Sequence, residues 1–251
     1  MFEQTLLRQH SEYLRATPPA KTAEETLLYR FNRHFRTVSA DTPDLIRRAQ
    51  EIRYQVYCVE RQFENPADHP DRREKDKLDE HSVHSLLIHR ATGHAVGTVR
   101  LVLPRREAAG GSFAIQRVRA ASLPMQTTAE ISRFSISKQF RETLYDTDAD
   151  LAVERQIGPL MSLGLMQTLV RMSARHGITH WCALMEPKLL RMLAAMAIHF
   201  KPLGEPVEHH GLRQPCYGHV PTVLDRVKRD RPMFWQILTD ASPLGRSALA
   251  A

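Results

Sequence analysis

Between Arg53 and Arg133 the chain sets charged and aromatic residues in an order suited to chemistry: Arg53, Tyr57, Phe63, Asp76, Asp79, Arg100, Phe113, Glu130 and Arg133. The segment Glu74-Lys75-Asp76-Lys77-Leu78-Asp79 places acids two and three residues apart. Arg100 interrupts the apolar run Val99-Arg100-Leu101-Val102-Leu103, and Glu130 and Arg133 interrupt another. An isolated ion in a packed interior loses several kcal/mol of hydration, so each of these charges must pair or face a cleft. Two outcomes satisfy that demand: ion pairs that close a fold, or a polar cleft that holds a charged substrate.

The elements that position these residues follow from the apolar pattern. Thr42 and Pro43 give an N-cap and a first-turn proline. Leu45, Ala49, Ile52, Val56, Val59 and Phe63 continue as a helical stripe to about Phe63. Arg53 and Tyr57 are four apart on that helix, one turn above the other. Residues 64–82, with Asn65-Pro66, His69-Pro70 and dense charge, read as a mobile surface loop carrying the acids and able to close over a substrate.

Ser85–His89 and Ala95–Leu103 then read as a hairpin around Thr92-Gly93, with Val96, Thr98, Arg100 and Val102 on one face. Ala129–Ser137 is a further strand, and regular alternation puts Glu130 and Ser132 on the face opposite Arg133. Pro159–His176 reads as an amphipathic helix ended by Gly177, Ile178–Met185 as a buried strand and Pro187–His199 as a helix. This order supports an α/β sandwich.

The order and spacing resemble the bacterial acyl-homoserine-lactone synthases and the related long-chain N-acyl amino acid synthases. The resemblance rests on Arg53 with Tyr57 and Phe63, the E-x-D-x-x-D segment Glu74, Asp76 and Asp79, the G-x-x-R-L strand Gly97–Leu101 closed by Pro104, Phe113, and the E-x-S-R segment Glu130–Arg133. It covers roughly residues 45–140. The homoserine-lactone enzymes usually carry tryptophan where Phe63 stands and phenylalanine where Tyr57 stands. A subfamily of acyltransferases encoded with bacterial exosortase (PEP-CTERM) sorting systems is more similar around Tyr57-Cys58-Val59-Glu60 and Glu130–Ser137.

The resemblance implies a GNAT-like N-acyltransferase fold, with a central mixed, mostly antiparallel sheet flanked by helices, an acyl thioester donor and an amine acceptor. In such folds the central strand commonly bulges where the thioester is held, and a bulge shifts side-chain parity by one. That would bring Arg133 to the side of Glu130. It further implies Glu130 as the base, Arg100 and Arg133 as its catalytic neighbours, and Arg53, Tyr57, Phe63, Asp76, Asp79, Phe113, Ser132 and Phe134 as substrate-binding residues. Asp76 and Asp79 would pair with Arg53 or Arg100, Arg133 would bind a carboxylate or steady Glu130, and backbone N–H groups near Ser132 to Phe134 would meet the oxyanion. The stripe Met161, Leu165, Met166, Leu169 and Met172 serves either as core or as an acyl channel.

Segments 1–40, 41–220 and 221–251 are expected as a helical lead, the acyltransferase domain and a C-terminal helix and tail. At 251 residues, 42% hydrophobic and 25% charged, the chain can bury a sizeable core. The start Met1-Phe2-Glu3-Gln4-Thr5 lacks the pattern of a secretion signal, and no run approaches a membrane span, so a cytoplasmic enzyme is expected. Cys58, Cys182 and Cys216 have no C-x-x-C spacing, which argues against disulfides and structural zinc, and Asp79-x-His81-x-x-His84 fits no zinc pattern.

The net charge of +7 suggests an acidic partner, which would be nucleic acid, anionic lipid at a membrane periphery, or an acidic protein. No basic run is interleaved with aromatics, which argues against nucleic acid. The resemblance implies acyl carrier protein docking near Lys138, Arg141, Arg171 and Arg175, with no bound cofactor and acyl carrier protein or acyl coenzyme A as donor. No Q/R-x-x-G-x-G/A phosphate loop follows Glu130, which favours the carrier protein. Two other readings stay open: an autoinducer synthase that lactonises S-adenosylmethionine, and a non-catalytic binding module.

Overall fold

The computed structural model describes residues 23–104, 112–140 and 148–239. The elements are α1 (Ala23–His34), β1 (Phe35–Ser39), α2 (Pro43–Tyr54), β2 (Ser82–His89), β3 (Ala95–Val102), α3 (Phe113–Ala120), β4 (Thr128–Ile136), α4 (Asp148–Arg175), β5 (His180–Met185), α5 (Pro187–Ala195), β6 (Lys201–Pro202), β7 (Val207–Glu208), β8 (Leu212–His219), α6 (Val220–Asp230) and α7 (Pro232–Thr239). They build one sheet in the order β1-β2-β3-β4-β5-β8-β6, with β7 on β8. Every pairing is antiparallel except β4 with β5.

Side-chain alternation divides the sheet into two faces with different partners. One face carries Leu87, Val99, Leu101, Ala129, Ile131, Trp181 and Ala183, and packs on Met161, Leu165, Met166 and Leu169 of α4. The stripe weighed as an acyl channel is therefore core, behind the sheet. Phe31 and Phe35 from the lead segment and Val227, Ile237 and Leu238 near the C-terminal end join the same core. The other face is covered by α2 over Leu86, Ile88 and Ala95, and by α3 over Cys182.

Several expected boundaries move. Residues 35–39, expected within a helical lead, form the edge strand β1, because Phe35 is fully buried and pairing with β2 satisfies its backbone. The helix from Pro43 begins as expected, with Thr42 Oγ1 accepting from Leu45 N at 3.3 Å, but Gln55–Glu60 widens to a π-helix that ends at Arg61, short of Phe63. Pro159 lies inside α4 rather than at its start. A proline removes one N–H, and the buried side chains Leu160 and Met161 that follow hold the helix onto the core.

The acid-bearing segment is a surface loop only in part: residues 65–72 are largely exposed, whereas Glu74, Asp76 and Asp79 are held against the sheet. Lys77–His81 forms a 3₁₀ turn capped by Asp76, whose side chain accepts from Leu78 N at 2.8 Å while Asp79 accepts from Asp76 N at 3.2 Å. Glu74 is only 1% exposed. A carboxylate that deep stays charged only by pairing, which ties the segment to the sheet.

Candidate active site

The face beneath α2 and α3 carries two rows of side chains. His84, Arg100 and Ser132 face one another across β2, β3 and β4, and Ser82, Val102, Glu130, Cys182 and Tyr217 do so across β2, β3, β4, β5 and β8. Arg133 joins the first row through a β-bulge. The β3–β4 register passes from Thr98↔Ser135 to Arg100↔Ser132, so one residue of β3 faces two of β4. Arg133 sits at φ +51°, the left-handed region that absorbs the extra residue. Gly97 accommodates the bulge from β3: a Cβ there would lie 2.8 Å from Ser135 O.

The arginines and acids form one network. Arg53 Nε donates to Glu74 Oε2 at 2.5 Å and Nη1 to Asp79 Oδ1 at 2.7 Å. Arg100 reaches Asp76 Oδ1 and Asp79 Oδ1 at 2.6 Å each, Asp76 Oδ2 at 3.0 Å and Ser132 Oγ at 2.9 Å. Arg133 binds Glu74 with Nε at 3.1 Å and Nη2 at 2.8 Å, and Asp76 Oδ2 at 3.2 Å. Its guanidinium lies 4.9 Å from the centre of the Tyr57 ring, and Tyr57 meets Phe63 at 6.2 Å.

Burial is graded across this network. Arg53, Glu74 and Arg100 are sealed, whereas the side chains of Arg133 and Asp76 keep 19% and 31% of their surface. The outer pair is what a solute can reach. Burial alone would raise the Glu74 carboxyl, but Arg133 and Arg53 outweigh it and hold it down at about 2. His84, under the same network, is pushed down to about 4 by burial, against the pull of Asp79.

Glu130 behaves in the opposite way. It lies outside the arginine network, and its hydrogen-bond partner is the Ser112 hydroxyl, which donates to Oε2. Ser112 is also the N-cap of α3, accepting from Ile115 N at 3.3 Å. Burial raises the Glu130 carboxyl above the ordinary glutamate range, and the Ser112 bond with the fields of Arg100 and Arg133 offsets this only in part. A buried carboxyl with a raised pKa takes and returns a proton near neutral pH more readily than an exposed one.

The paired register of β4 with β5 ends at Glu130↔Cys182, although both strands continue. The strands part beside Glu130, and the stretch of β4 beyond the end of that register includes the bulge. That leaves an open edge of main chain next to a titratable carboxyl.

The expected site residues thus fall into groups. Arg53, Asp76, Asp79, Arg100, Ser132 and Arg133 meet in one network, with Tyr57 and Phe63 against its outer edge. Arg133 pairs with Glu74 and Asp76 and makes no hydrogen bond to Glu130, because the bulge swings it toward the acids. Phe134 packs toward the α4 core. Phe113 opens α3, and its side chain lies outside the described residues. Arg171 and Arg175 bond Thr37 and Ser39 on β1 at 2.9 and 3.3 Å, with β2 and β3 between β1 and β4, which leads to Lys138; Arg141 lies outside the described residues. Sequence reasoning missed Ser112, although Gly111-Ser112 ahead of an apolar helical run carries a capping signal. It also missed His210, which no local pattern connects to Phe63.

Among the described residues no cluster of His, Cys, Asp and Glu could hold a metal ion, and no helix is long and apolar enough to cross a membrane.

Residues 52–147 match the family described as Acetyltransferase (GNAT) domain. No curated protein matches the chain. Among solved structures, TofI in a ternary complex with an inhibitor and MTA is similar at a TM-score of 0.57 with 19% identity, covering 80% of this chain and 99% of that one. BjaI, a CoA-dependent acyl-homoserine lactone synthase, gives 0.57 and 20% over 78% of this chain and 88% of that one. The AHL synthase LasI gives 0.53 and 16% over 74% and 89%. The mixed, mostly antiparallel sheet flanked by helices is therefore a GNAT-like fold.

Proposed function

We propose that this chain is an N-acyltransferase that moves a long-chain fatty acyl group from an acyl carrier protein thioester to the α-amine of an amino acid or similar amine. The observation that carries the reading is Glu130: a buried carboxyl with a raised pKa, beside the point where β4 and β5 part, on the same face as a charge network whose outer members are Arg133 and Asp76.

Amide formation needs an unprotonated amine at a thioester carbonyl. Glu130 takes the proton that the amine nitrogen loses as the C–N bond forms, directly or through water, and returns it to the sulfur as the C–S bond breaks. Main-chain N–H groups of Ser132 to Phe134 are the donors for the oxyanion, worth on the order of 10²- to 10³-fold in rate each. Arg100, held by Asp76, Asp79 and Ser132, fixes the wall of the site and lowers the cost of negative charge beside Glu130.

The donor reading draws on the turn after β4. A helix N-terminus is a ready anion site, but at 138–140 the amides of Lys138 and Gln139 donate to Glu60 at 2.9 and 3.2 Å. A nucleotide phosphate would compete with a carboxylate already in place, whereas a carrier protein presents its thioester on its own surface. The net charge of +7 suits an acidic carrier.

A second reading is favoured by the likeness to BjaI, which has been solved with MTA and with SAM and isopentyl-CoA: synthesis of an acyl-homoserine lactone from S-adenosylmethionine. Purified protein supplied with acyl carrier protein or coenzyme A thioesters, and with amino acids or S-adenosylmethionine, separates the two by mass spectrometry. N-acyl amino acids, formed faster from the carrier protein at low salt and slowed as salt screens the encounter, are expected. A lactone with release of methylthioadenosine would replace the first reading by the second.

A further inference from the structure

Among the described residues the charge network ends in one carboxylate that bonds nothing closely. Glu64 Oε1 lies 3.8 Å from Arg133 Nη2 and 3.7 Å from His210 Nε2, both beyond hydrogen-bond length. The other acids on Arg133 lie at 2.8 to 3.2 Å. Those bonds engage Nε and Nη2, and among the described residues Arg133 Nη1 has no partner.

His210 reaches this place from far along the chain. It forms the tip of the β7–β8 hairpin, in register Val207↔Arg213 and Glu208↔Leu212, and stands at φ +53° before Gly211 at φ +88°. A non-glycine residue in that region is strained and persists only where its surroundings hold it. Here the ring stacks on Phe63 at 5.3 Å and 28°, and Arg213 of the same hairpin sets its guanidinium 5.7 Å from the Phe63 centre. The hairpin is thus keyed to the aromatic residue beside the network and brings His210 Nε2 to the same Glu64 oxygen that faces Arg133.

We propose that Arg133 and His210 form a clamp for the carboxylate of the acceptor, with Glu64 occupying the gap between them until the acceptor enters. The inference rests on the N-acyltransferase reading and names what that site recognises: an amine that bears a carboxylate, as an amino acid does. In this arrangement Glu64 reaches hydrogen-bond distance on neither donor, whereas a free carboxylate can take charge-assisted bonds from both and displace it. His210 donates from Nε2 in its Nε2–H tautomer or as the imidazolium.

The test compares two acceptors, an amino acid and its primary carboxamide, with one acyl donor, by mass-spectrometric rates on wild type, His210→Ala, His210→Gln and Glu64→Gln. His210→Ala should raise KM for the amino acid about tenfold, the loss expected for one charge-assisted hydrogen bond, with kcat and all carboxamide kinetics little changed. His210→Gln, which restores an N–H donor, should recover part of that loss, and Glu64→Gln should lower KM for the amino acid alone. Equal losses on both acceptors, or none, would overturn the clamp while leaving the transferase in place. A wild-type protein that acylates neither amine would overturn the N-acyltransferase reading itself, and the clamp with it.

Discussion

Glu74 and Glu130 are both glutamates sealed on the same face of one sheet, yet their surroundings drive them in opposite directions. Glu74 lies between Arg53 and Arg133 and is held at about 2, and Glu130 has a serine hydroxyl for its partner and is raised by burial. Burial alone therefore does not tell structure from chemistry. What separates the two regions is whether the buried charge is neutralised by a guanidinium within bonding distance. The paired region locks the acid segment to the sheet, and the unpaired carboxyl remains able to exchange a proton.

The largest expected effect breaks the comparison at its reactive end. Glu130→Gln keeps the shape and still accepts from Ser112, but it cannot take a proton. Turnover should fall by about 10²- to 10⁴-fold, the range for a lost general base, while the urea midpoint stays close to wild type. Wild-type turnover in that variant would remove Glu130 from the mechanism.

Next comes the structural end. Glu74→Ala leaves Arg53 and Arg133 without their shared carboxylate and should cost about 3–5 kcal/mol in urea unfolding. The pH dependence has a definite sign. A carboxylate held below its ordinary value contributes stability that is full above the ordinary glutamate range and is lost as pH falls toward about 2. Wild type should lose stability across that window more steeply than Glu74→Gln. Glu130 works the other way, since a raised carboxyl stabilises the fold in its protonated form and weakens it as pH rises through the raised value. The same rise supplies the base, so the acid limb of kcat/KM should lie above the ordinary glutamate range.

The smallest expected effect sharpens the contrast. Ser112→Ala removes the hydroxyl that favours the charged form of Glu130, so the acid limb should move to higher pH. The lost helix cap should cost about 1 kcal/mol. An unmoved limb, with only that stability loss, would make Ser112 a cap and nothing more.

The chemical residues were legible where the sequence broke its own apolar pattern. Arg100, Glu130 and Arg133 stand inside strands that bury nearly everything else, and the acids Glu74, Asp76 and Asp79 are close enough in sequence to serve them together. The hairpin, the central strand and the helix from Pro43 were legible too, because period, cap and turn residues are local signals. Strand β1 was not, since Phe35-Arg36-Thr37-Val38-Ser39 gains its strand character from pairing with β2. Nor was the end of the α2 helix, where the π-helix at Gln55–Glu60 follows from packing.

The sequence by itself determined which charges had to be paired, because the cost of burying an ion depends on residue type and apolar context. Only the tertiary structure decided the partners. The bulge at Arg133 turned that arginine toward Glu74 and away from Glu130, and the sheet order set Cys182 beside Glu130 where β4 and β5 part. The β7–β8 hairpin carried His210 to Phe63 across a long separation in sequence. Partner choice depends on strand register and parity over long sequence separations, and a one-residue shift in either reverses which side chains meet.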